Sequence, residues 1–356
     1  MEQKKVLVAM SGGVDSSVAA YLCKKAGYPC VGAIAQMCDR TILGDAFSPQ
    51  NIQDAKSVAN RLEMEFFTFD AVAPFQQAVV ENFISCYEQG LTPNPCIQCN
   101  QHIKFSYLLD KALAAGCDCI ATGHYAQIRQ DPGTGRYLLY QAVDKAKDQS
   151  YFLAGLDQYQ LSHTLFPLGS FTKEQIRQIA AEEGFLTAKK KDSQDICFIP
   201  DGDFMAFIER YTGKQYENGV FLDLNGKTVG THSGAIRYTL GQRKGLGLAM
   251  GTPVYVCNKD MNANTVTVGP EEALYTQTLV AKDWNWLPFS ELTQPIQVLA
   301  KARYRHISQK ATVYPKENGC ASVVFDTPQR AITPGQTVVL YWDDMVVGSG
   351  TIMETY

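Results

Sequence analysis

The sequence predicts an α/β domain built on a parallel sheet, followed by short-stranded β structure of the small barrel or sandwich kind. Three observations predict it. Apolar runs alternate with segments of helical spacing through residue 124, the pattern of a parallel sheet covered on both faces. A Gly-rich loop joins the first apolar run to the first helix. After about residue 205 the pattern turns to short alternating strands separated by Gly, Asn and Pro turns.

The elements follow in order. "KKVLVAM" (4–10) reads as a short buried strand, "SGGVDSS" as a loop and "VAAYLCKKAG" as a helix closed by Gly27. "YPCVGAIAQ" is a second apolar run, "NIQDAKSVANRLEM" has helical spacing and "EFFTFDA" is strand-like. "FQQAVVENFISCYEQG" and "FSYLLDKALAAG" read as helices, and "CDCIATGH" as a strand ending in Gly-His. Ligands of such a sheet sit at the carboxyl ends of its strands. Beyond residue 205, "TVGTHSG" and "TPVYVCNKDMNANTVTVGP" begin a strand-and-turn pattern that runs on through "TVVLYWDDMVVGSGTIM".

At ~150 residues per domain, 356 residues suggest two or three domains. The composition, 46% hydrophobic and 19% charged, is that of a globular protein with real cores. The apolar run behind the first lysines is too short for a signal peptide, and no run approaches the ~18 residues of a membrane helix. A cytoplasmic location is therefore expected. A net charge of −4 argues against coating nucleic acid through bulk charge, but leaves room for a local basic groove. Eleven cysteines without a scaffold-like rhythm are expected to be mostly reduced and buried.

In the loop, Gly12 and Gly13 let the backbone approach a ligand, and amides at the helix start point at an anion. Ser11, Ser16 and Ser17 add hydroxyls. The loop lacks the lysine of a GxxxxGK[ST] motif and the spacing of GxGxxG. The plainer reading is a Gly-rich turn with Asp15 or Ser16 capping the helix. "SGGVDS" resembles the pyrophosphate-binding loop of the PP-loop ATP pyrophosphatases, which adenylate their substrates. That resemblance implies ATP contacts at Ala9, Met10, Ser11, Gly12, Gly13, Val14, Asp15 and Ser16, with Mg²⁺ neutralising charge and Asp15 a candidate to help hold it.

Five further segments, "GLTPNPCIQCNQHIKF", "ATGHYAQI", "KAKDQSYFL", "KKDSQDICFIP" and "HSGAIRYTLGQRKGLG", follow in this order over most of the chain. Together they resemble the bacterial tRNA-specific 2-thiouridylase (MnmA) family. The resemblance implies a Rossmann-like PP-loop domain over 1–204, a small central domain over 205–276 and a tRNA-contacting β-barrel over 277–356. It implies adenylation of the wobble uridine O2 by ATP, then displacement of AMP by sulfur. It also implies Gly123 and Ala35 as backbone contacts to the nucleotide, with Met37 as the other candidate beside Ala35. On the tRNA side it implies Asn94, Pro95, Cys96, His124, Lys147, Asp148, Gln149, Arg303, Tyr304 and Gln336. Arg243 and Lys244 are plausible phosphate contacts by their Gly-rich loop. On composition alone, the residues around Arg303 read as an ordinary edge strand with solvated cations, and His124 as a satisfied strand-end histidine.

By the same resemblance Cys197 carries a persulfide delivered by a cysteine desulfurase or a sulfur-relay protein. Cys99 is then its partner thiol, and a Cys99–Cys197 disulfide forms. Lys104 and Lys189 to Lys191 could make these thiols reactive. Cys96 stands where many relatives have Asp, so a general base there is in doubt. Cys96, Cys99 and Cys197 also read as three ligands of a [4Fe–4S] cluster, and zinc is a further alternative. Cys117 and Cys119 have the wrong spacer for zinc and read as core; Cys38 and the remaining cysteines read as structural or incidental. Two other functions stay open: an adenylating enzyme acting on another RNA base or a small substrate, and a non-catalytic sulfur or iron–sulfur carrier, against which the intact loop argues.

Overall fold

The computed structural model describes residues 3–44, 49–190 and 196–356. The first strands are β1 (Val6–Ala9), β2 (Cys30–Gln36), β3 (Glu65–Asp70) and β4 (Cys119–Thr122), followed by a hairpin, β5 (Ala126–Gln130) and β6 (Tyr137–Gln141), and by β7 (Thr164–Leu165). All but the hairpin form one parallel sheet in the order β3-β2-β1-β4-β7. Val6, Leu7 and Val8 are fully buried, as a central strand covered on both faces requires. The chain passes from β1 to β2 on one side, while β4 lies on the other. The crevice beyond the carboxyl ends of β1 and β4 is therefore a topological switch point.

The helix after the loop, α1 (Val14–Lys25), packs Val14, Val18, Ala19 and Cys23 against this sheet. Gly27 at φ +89° lies just beyond its end. The stretch around "CIQC", ahead of the helix expected at "FSYLLDKALAAG", is itself helical. It opens at Pro95–Gln98 with proline at the first position, widens into a π-helical run over Cys99–Tyr107, and continues as Leu108–Ala114. A π turn departs from the 3.6-residue period, so the apolar spacing that betrays an ordinary helix is missing there.

The central sheet contains β8 (Gly219–Leu222), β9 (Thr228–His232), β10 (Tyr255–Asp260) and β11 (Thr265–Gly269) around Phe221, Val256 and Val266. The last six strands are β12 (Tyr275–Trp286), β13 (Ile296–Lys301), β14 (Gln309–Pro315), β15 (Ala321–Arg330), β16 (Thr337–Trp342) and β17 (Met345–Thr355). They run in the order β12-β15-β14-β13-β16-β17 and close through β12–β17 pairing, so they form a barrel. The β5–β6 hairpin leaves the parallel sheet and joins the barrel strands, with Met345 opposite Tyr140. One apolar cluster runs from Leu7, Phe105 and Ile120 in the first region to Leu287, Val339, Tyr341 and Val346 in the last. Among the described residues no helix is long and apolar enough to cross a membrane.

Candidate active site

The Gly-rich loop lies at the switch point. Gly12 sits at φ +73°, and a Cβ there would come 2.4 Å from the Asn51 carbonyl oxygen, so both conformation and space exclude a side chain. A Cβ on Gly123, in the turn after β4, would come 2.7 Å from the Asp15 carbonyl carbon and the Ser16 nitrogen. The two glycines thus bring three backbone segments together. Gly13 is the residue before α1 and offers no side-chain cap. Ser16 does not cap the helix; its hydroxyl accepts from the Ser11 N–H at 3.1 Å and donates to the Gly13 carbonyl at 3.1 Å. Ser17 donates to the same carbonyl at 2.9 Å. The first amides of α1 are left for an anion. Met10 and Val14 are buried and Ala9 is half-buried, so these three contribute backbone rather than side chains.

Asp15 is held from two sides. Lys173 Nζ lies 2.8 Å from each carboxylate oxygen, and the Tyr125 hydroxyl donates at 2.8 Å. That occupation does not suit Asp15 as a Mg²⁺ ligand, and among the described residues no group of three Cys, His, Asp or Glu is placed to hold a metal. Lys190 Nζ donates to the Gly12 carbonyl at 3.0 Å, Asn51 Oδ1 at 2.8 Å and Asp54 Oδ2 at 2.8 Å. It pins the loop to the helix Gln50–Arg61 and holds the Asp54 carboxyl below its ordinary range. Of the other lysines expected before Cys197, Lys191 and the Lys189 side chain lie outside the described residues.

The thiols gather beside the same crevice. Cys99 is buried, and its Sγ lies 3.6 Å from Met37 Sδ. Burial pushes its pKa up to about 12, against a smaller pull from Lys104. Cys96 is exposed, yet the surrounding protein also raises its pKa, with Lys104 opposing. Cys197 is exposed, and Cys38 is the thiol that most affects its titration. The Cys38 thiol, with help from Lys104, brings the Cys197 thiol down to about 7 despite desolvation, while Cys38 itself is driven up. Cys96, Cys99 and Cys197 do not form a group placed for a metal, so no step is routed through a cluster. Cys117 and Cys119 are buried, as read from the sequence.

Lys104 and His124 link thiols to loop. Lys104 Nζ is 3.4 Å from His124 Nε2, and Thr122 Oγ1 is 2.7 Å from Nδ1. An ammonium has no acceptor, so Nε2 is the unprotonated nitrogen and Nδ1–H faces Thr122. Desolvation and Lys104 both hold His124 neutral. Phe105 and Phe166 flank its ring.

The residues expected to meet RNA lie mostly inside the chain's own hydrogen-bond network. Asp148 is 8% exposed and accepts from the Ala142 N–H and from both the Ser150 N–H and its hydroxyl. Gln149 Oε1 accepts from the Tyr125 N–H at 2.9 Å. Gln336 Nε2 donates to the Thr92 and Pro93 carbonyls, fixing the turn before Asn94, Pro95 and Cys96. Arg303 donates to the Leu240 carbonyl and Thr333 hydroxyl, while its Nε is buried without a partner. Tyr304 lies against Phe152, ring centroids 4.3 Å apart, with Lys301 over its face. Lys147 is half-buried; Arg243 and Lys244 are exposed on their loop, and Ala35 is half-buried near the end of β2.

Sequence reasoning missed Lys173, Tyr125 and Cys38. Lys173 and Tyr125 carry no motif; only the fold brings them to Asp15. Cys38, read as structural or incidental, lies close enough to Cys197 for the two thiols to affect each other's titration. Its one available signal was its place just beyond an apolar strand, at the carboxyl edge where ligands bind.

Three family models match in succession: the tRNA methyl transferase HUP domain over 4–201, the tRNA methyl transferase PRC-barrel domain over 205–270 and the aminomethyltransferase β-barrel domain over 276–352. Proteins named tRNA-specific 2-thiouridylase MnmA are similar over nearly the whole chain. The one from Acetivibrio thermocellus is 47% identical, covering 99% of this chain and 100% of its own. Those from Heliobacterium modesticaldum and Clostridioides difficile are 48% and 44% identical, covering 99% and 98% of this chain and 93% and 98% of their own. Full-length similarity at this level, on a parallel-sheet domain followed by a central sheet and a six-stranded barrel, places the chain in the tRNA-specific 2-thiouridylase MnmA family.

Proposed function

We propose that this protein is a tRNA 2-thiouridylase that adenylates the C2 oxygen of the wobble uridine with ATP and then places sulfur on C2. The products are 2-thiouridine, AMP and pyrophosphate. One observation carries the reading: the turn Gly123–His124 touches the Gly-rich loop through Gly123 and the thiol-side cation Lys104 through His124. A phosphate cradle and a reactive thiol therefore serve one crevice. Methyl transfer, named in the family-model description, has no use for that pairing.

In this reading the α1 amides and the Ser11 to Gly13 loop hold the ATP phosphates, with Gly123 and the Ala35 backbone beside the nucleotide. The uridine oxygen attacks the α-phosphorus, and pyrophosphate leaves. The C2–O bond then breaks as sulfur adds, and AMP departs with the oxygen. Cys197 is the sulfur carrier, since its thiolate is favoured near neutral pH. Its sulfane sulfur comes from a cysteine desulfurase or a sulfur-relay protein. Cys96 supplies no base at neutral pH, because its thiol is held protonated. Asn94, Pro95, His124, Lys147, Arg303 and Tyr304 make the tRNA face, with Asp148, Gln149 and Gln336 shaping it from behind. The work divides over 1–204, 205–276 and 277–356, in the cytoplasm.

The test is anaerobic incubation of the purified protein with ATP, Mg²⁺, a persulfide donor and a tRNA bearing a wobble uridine, with nucleosides read by mass spectrometry. Stoichiometric 2-thiouridine and pyrophosphate support the proposal. Pyrophosphate release with sulfur on another base favours the second adenylating function, and no pyrophosphate removes both.

A further inference from the structure

The Gly-rich loop is held in shape from outside its own motif. We propose that Lys190 is a positioning residue for adenylation: by holding the Gly12 carbonyl, it sets the loop in the form whose amides receive the ATP phosphates. This rests on the loop being the ATP site, as proposed above.

Two glycines in a row do not hold such a form by themselves. Glycine has wide backbone freedom, and Gly12 sits at φ +73°. In a trans peptide the carbonyl and the following N–H point in opposite directions. Fixing a glycine carbonyl on one side therefore aims the next amide at the other. Lys190 Nζ donates to the Gly12 carbonyl at 3.0 Å, which turns the Gly13 N–H away from the lysine. The Ser16 and Ser17 hydroxyls donate to the Gly13 carbonyl at 3.1 and 2.9 Å, which turns the Val14 N–H away from them. Val14 opens α1, and successive amides turned out at a helix start make an anion nest.

Both glycine carbonyls are supported from one segment. The short helical turn Leu186–Lys189 lies against α1. Thr187 is buried there, and its hydroxyl donates to Ser17 Oγ at 3.0 Å. Thr187 thus steadies the Gly13 side through Ser17, and Lys190 holds the Gly12 side directly. The segment is itself anchored. Arg177, from the helix Lys173–Glu182, donates to the Ala188 and Lys190 carbonyls at 3.2 and 3.4 Å. That helix also brings Lys173 to Asp15.

Lys190 acts through the loop rather than on the phosphates. An ammonium has three donors. All three are taken: by the Gly12 carbonyl, by Asn51 Oδ1 at 2.8 Å and by Asp54 Oδ2 at 2.8 Å. The Asp54 carboxylate also offsets its charge at short range. A phosphate wins this ammonium only by displacing one of these acceptors. The Gly-rich motif has no lysine of its own, and Lys190 supplies one from 178 residues further along the chain. A loop already set in its binding form spares ATP the cost of ordering it.

The test follows AMP formation from labelled ATP by the full-length protein with Mg²⁺, tRNA and a persulfide donor, and its inhibition by pyrophosphate and by adenosine. Lys190→Met should raise the ATP KM and the pyrophosphate inhibition constant about tenfold, the scale of one lost charge-assisted hydrogen bond. Adenosine carries no phosphate, so its inhibition constant should move less than about twofold. Asp54→Ala should also weaken pyrophosphate, because the ammonium loses its seat. Tighter pyrophosphate in Asp54→Ala would mean a lysine released onto the phosphate, and overturns the inference. An unchanged pyrophosphate constant in Lys190→Met overturns it as well. An equal loss for adenosine would mean general collapse of the site, which removes the positioning role. If the unaltered protein forms no AMP, or pyrophosphate does not compete with ATP, the ATP reading itself fails and this inference with it.

Discussion

The two ends of the parallel sheet each hold a pair of cysteines that affect each other's titration, and they differ in everything but the sulfur. At the amino end, Cys23 near the end of α1 pairs with Cys30 at the start of β2, with Cys117 and Cys119 close by. Val6 of β1 lies in register between Cys30 and Cys119. That pair is local in sequence, and Cys23 is buried. At the carboxyl end, Cys38 neighbours Cys197 from a distant segment, with Lys104 close enough to favour the Cys197 thiolate. Cysteine type and pairing do not distinguish the groups. Position relative to the strand ends does, because only the carboxyl edge collects the loops that bind ligands.

That contrast can be broken most severely at Gly123. Gly123→Val puts carbon atoms into the backbone at Asp15 and Ser16. Pyrophosphate release should fall about 100-fold or more, equivalent to ~2.7 kcal/mol on the barrier, while Cys197 alkylation continues at its normal rate. Equal loss of alkylation would mean that the whole edge has collapsed.

Lys104→Met sharpens the contrast through pH. Below about 7 the Cys197 thiol is neutral, and above it is the thiolate, so its alkylation rate should rise through that range and level off. Removing a cation that favours the thiolate should move this midpoint upward, by roughly one unit for a neighbouring charge. Persulfide-fed thiolation at neutral pH should drop about fivefold, as the thiolate fraction falls from about one half to about one tenth. An unchanged midpoint would leave Cys38 and the backbone N–H groups of Cys197 and Phe198 as the causes of the depression. The smallest effect belongs to the other end: Cys30→Ser should leave the 2-thiouridine yield within about twofold, consistent with its distance from the ligand edge. A large loss there would erase the distinction between the two ends.

Much of the fold was legible because its signals are local. The run "VLVA" is a buried strand by composition, and "SGGVDSS" announces a tight approach of backbone through its glycines. The β-rich second half declared itself through turn residues. What stayed hidden depends on tertiary placement or on unusual period. The helix through Cys96 and Cys99 carries no helical signal in the sequence because its π turn scrambles the apolar spacing. Lys173 and Tyr125 look like any surface cation and aromatic until Asp15 is placed between them. Cys38 had no nearby companion in sequence, and its partner lies far along the chain. Asp148 and Gln336, read as RNA contacts by resemblance, hold backbone groups of the protein, a role that no linear motif encodes.

The β5–β6 hairpin has a bearing on how the protein is made. Its strand β6 pairs with β17, and the cluster containing Leu7 and Ile120 is completed by Val339, Tyr341 and Val346. A chain emerging from the ribosome therefore displays the parallel sheet with one wall of its core missing. That wall arrives only when β16 and β17 have been synthesised. The nucleotide loop and the thiols reach their final setting late in translation, and a nascent chain halted after the central sheet presents a sticky apolar surface instead of an enzyme.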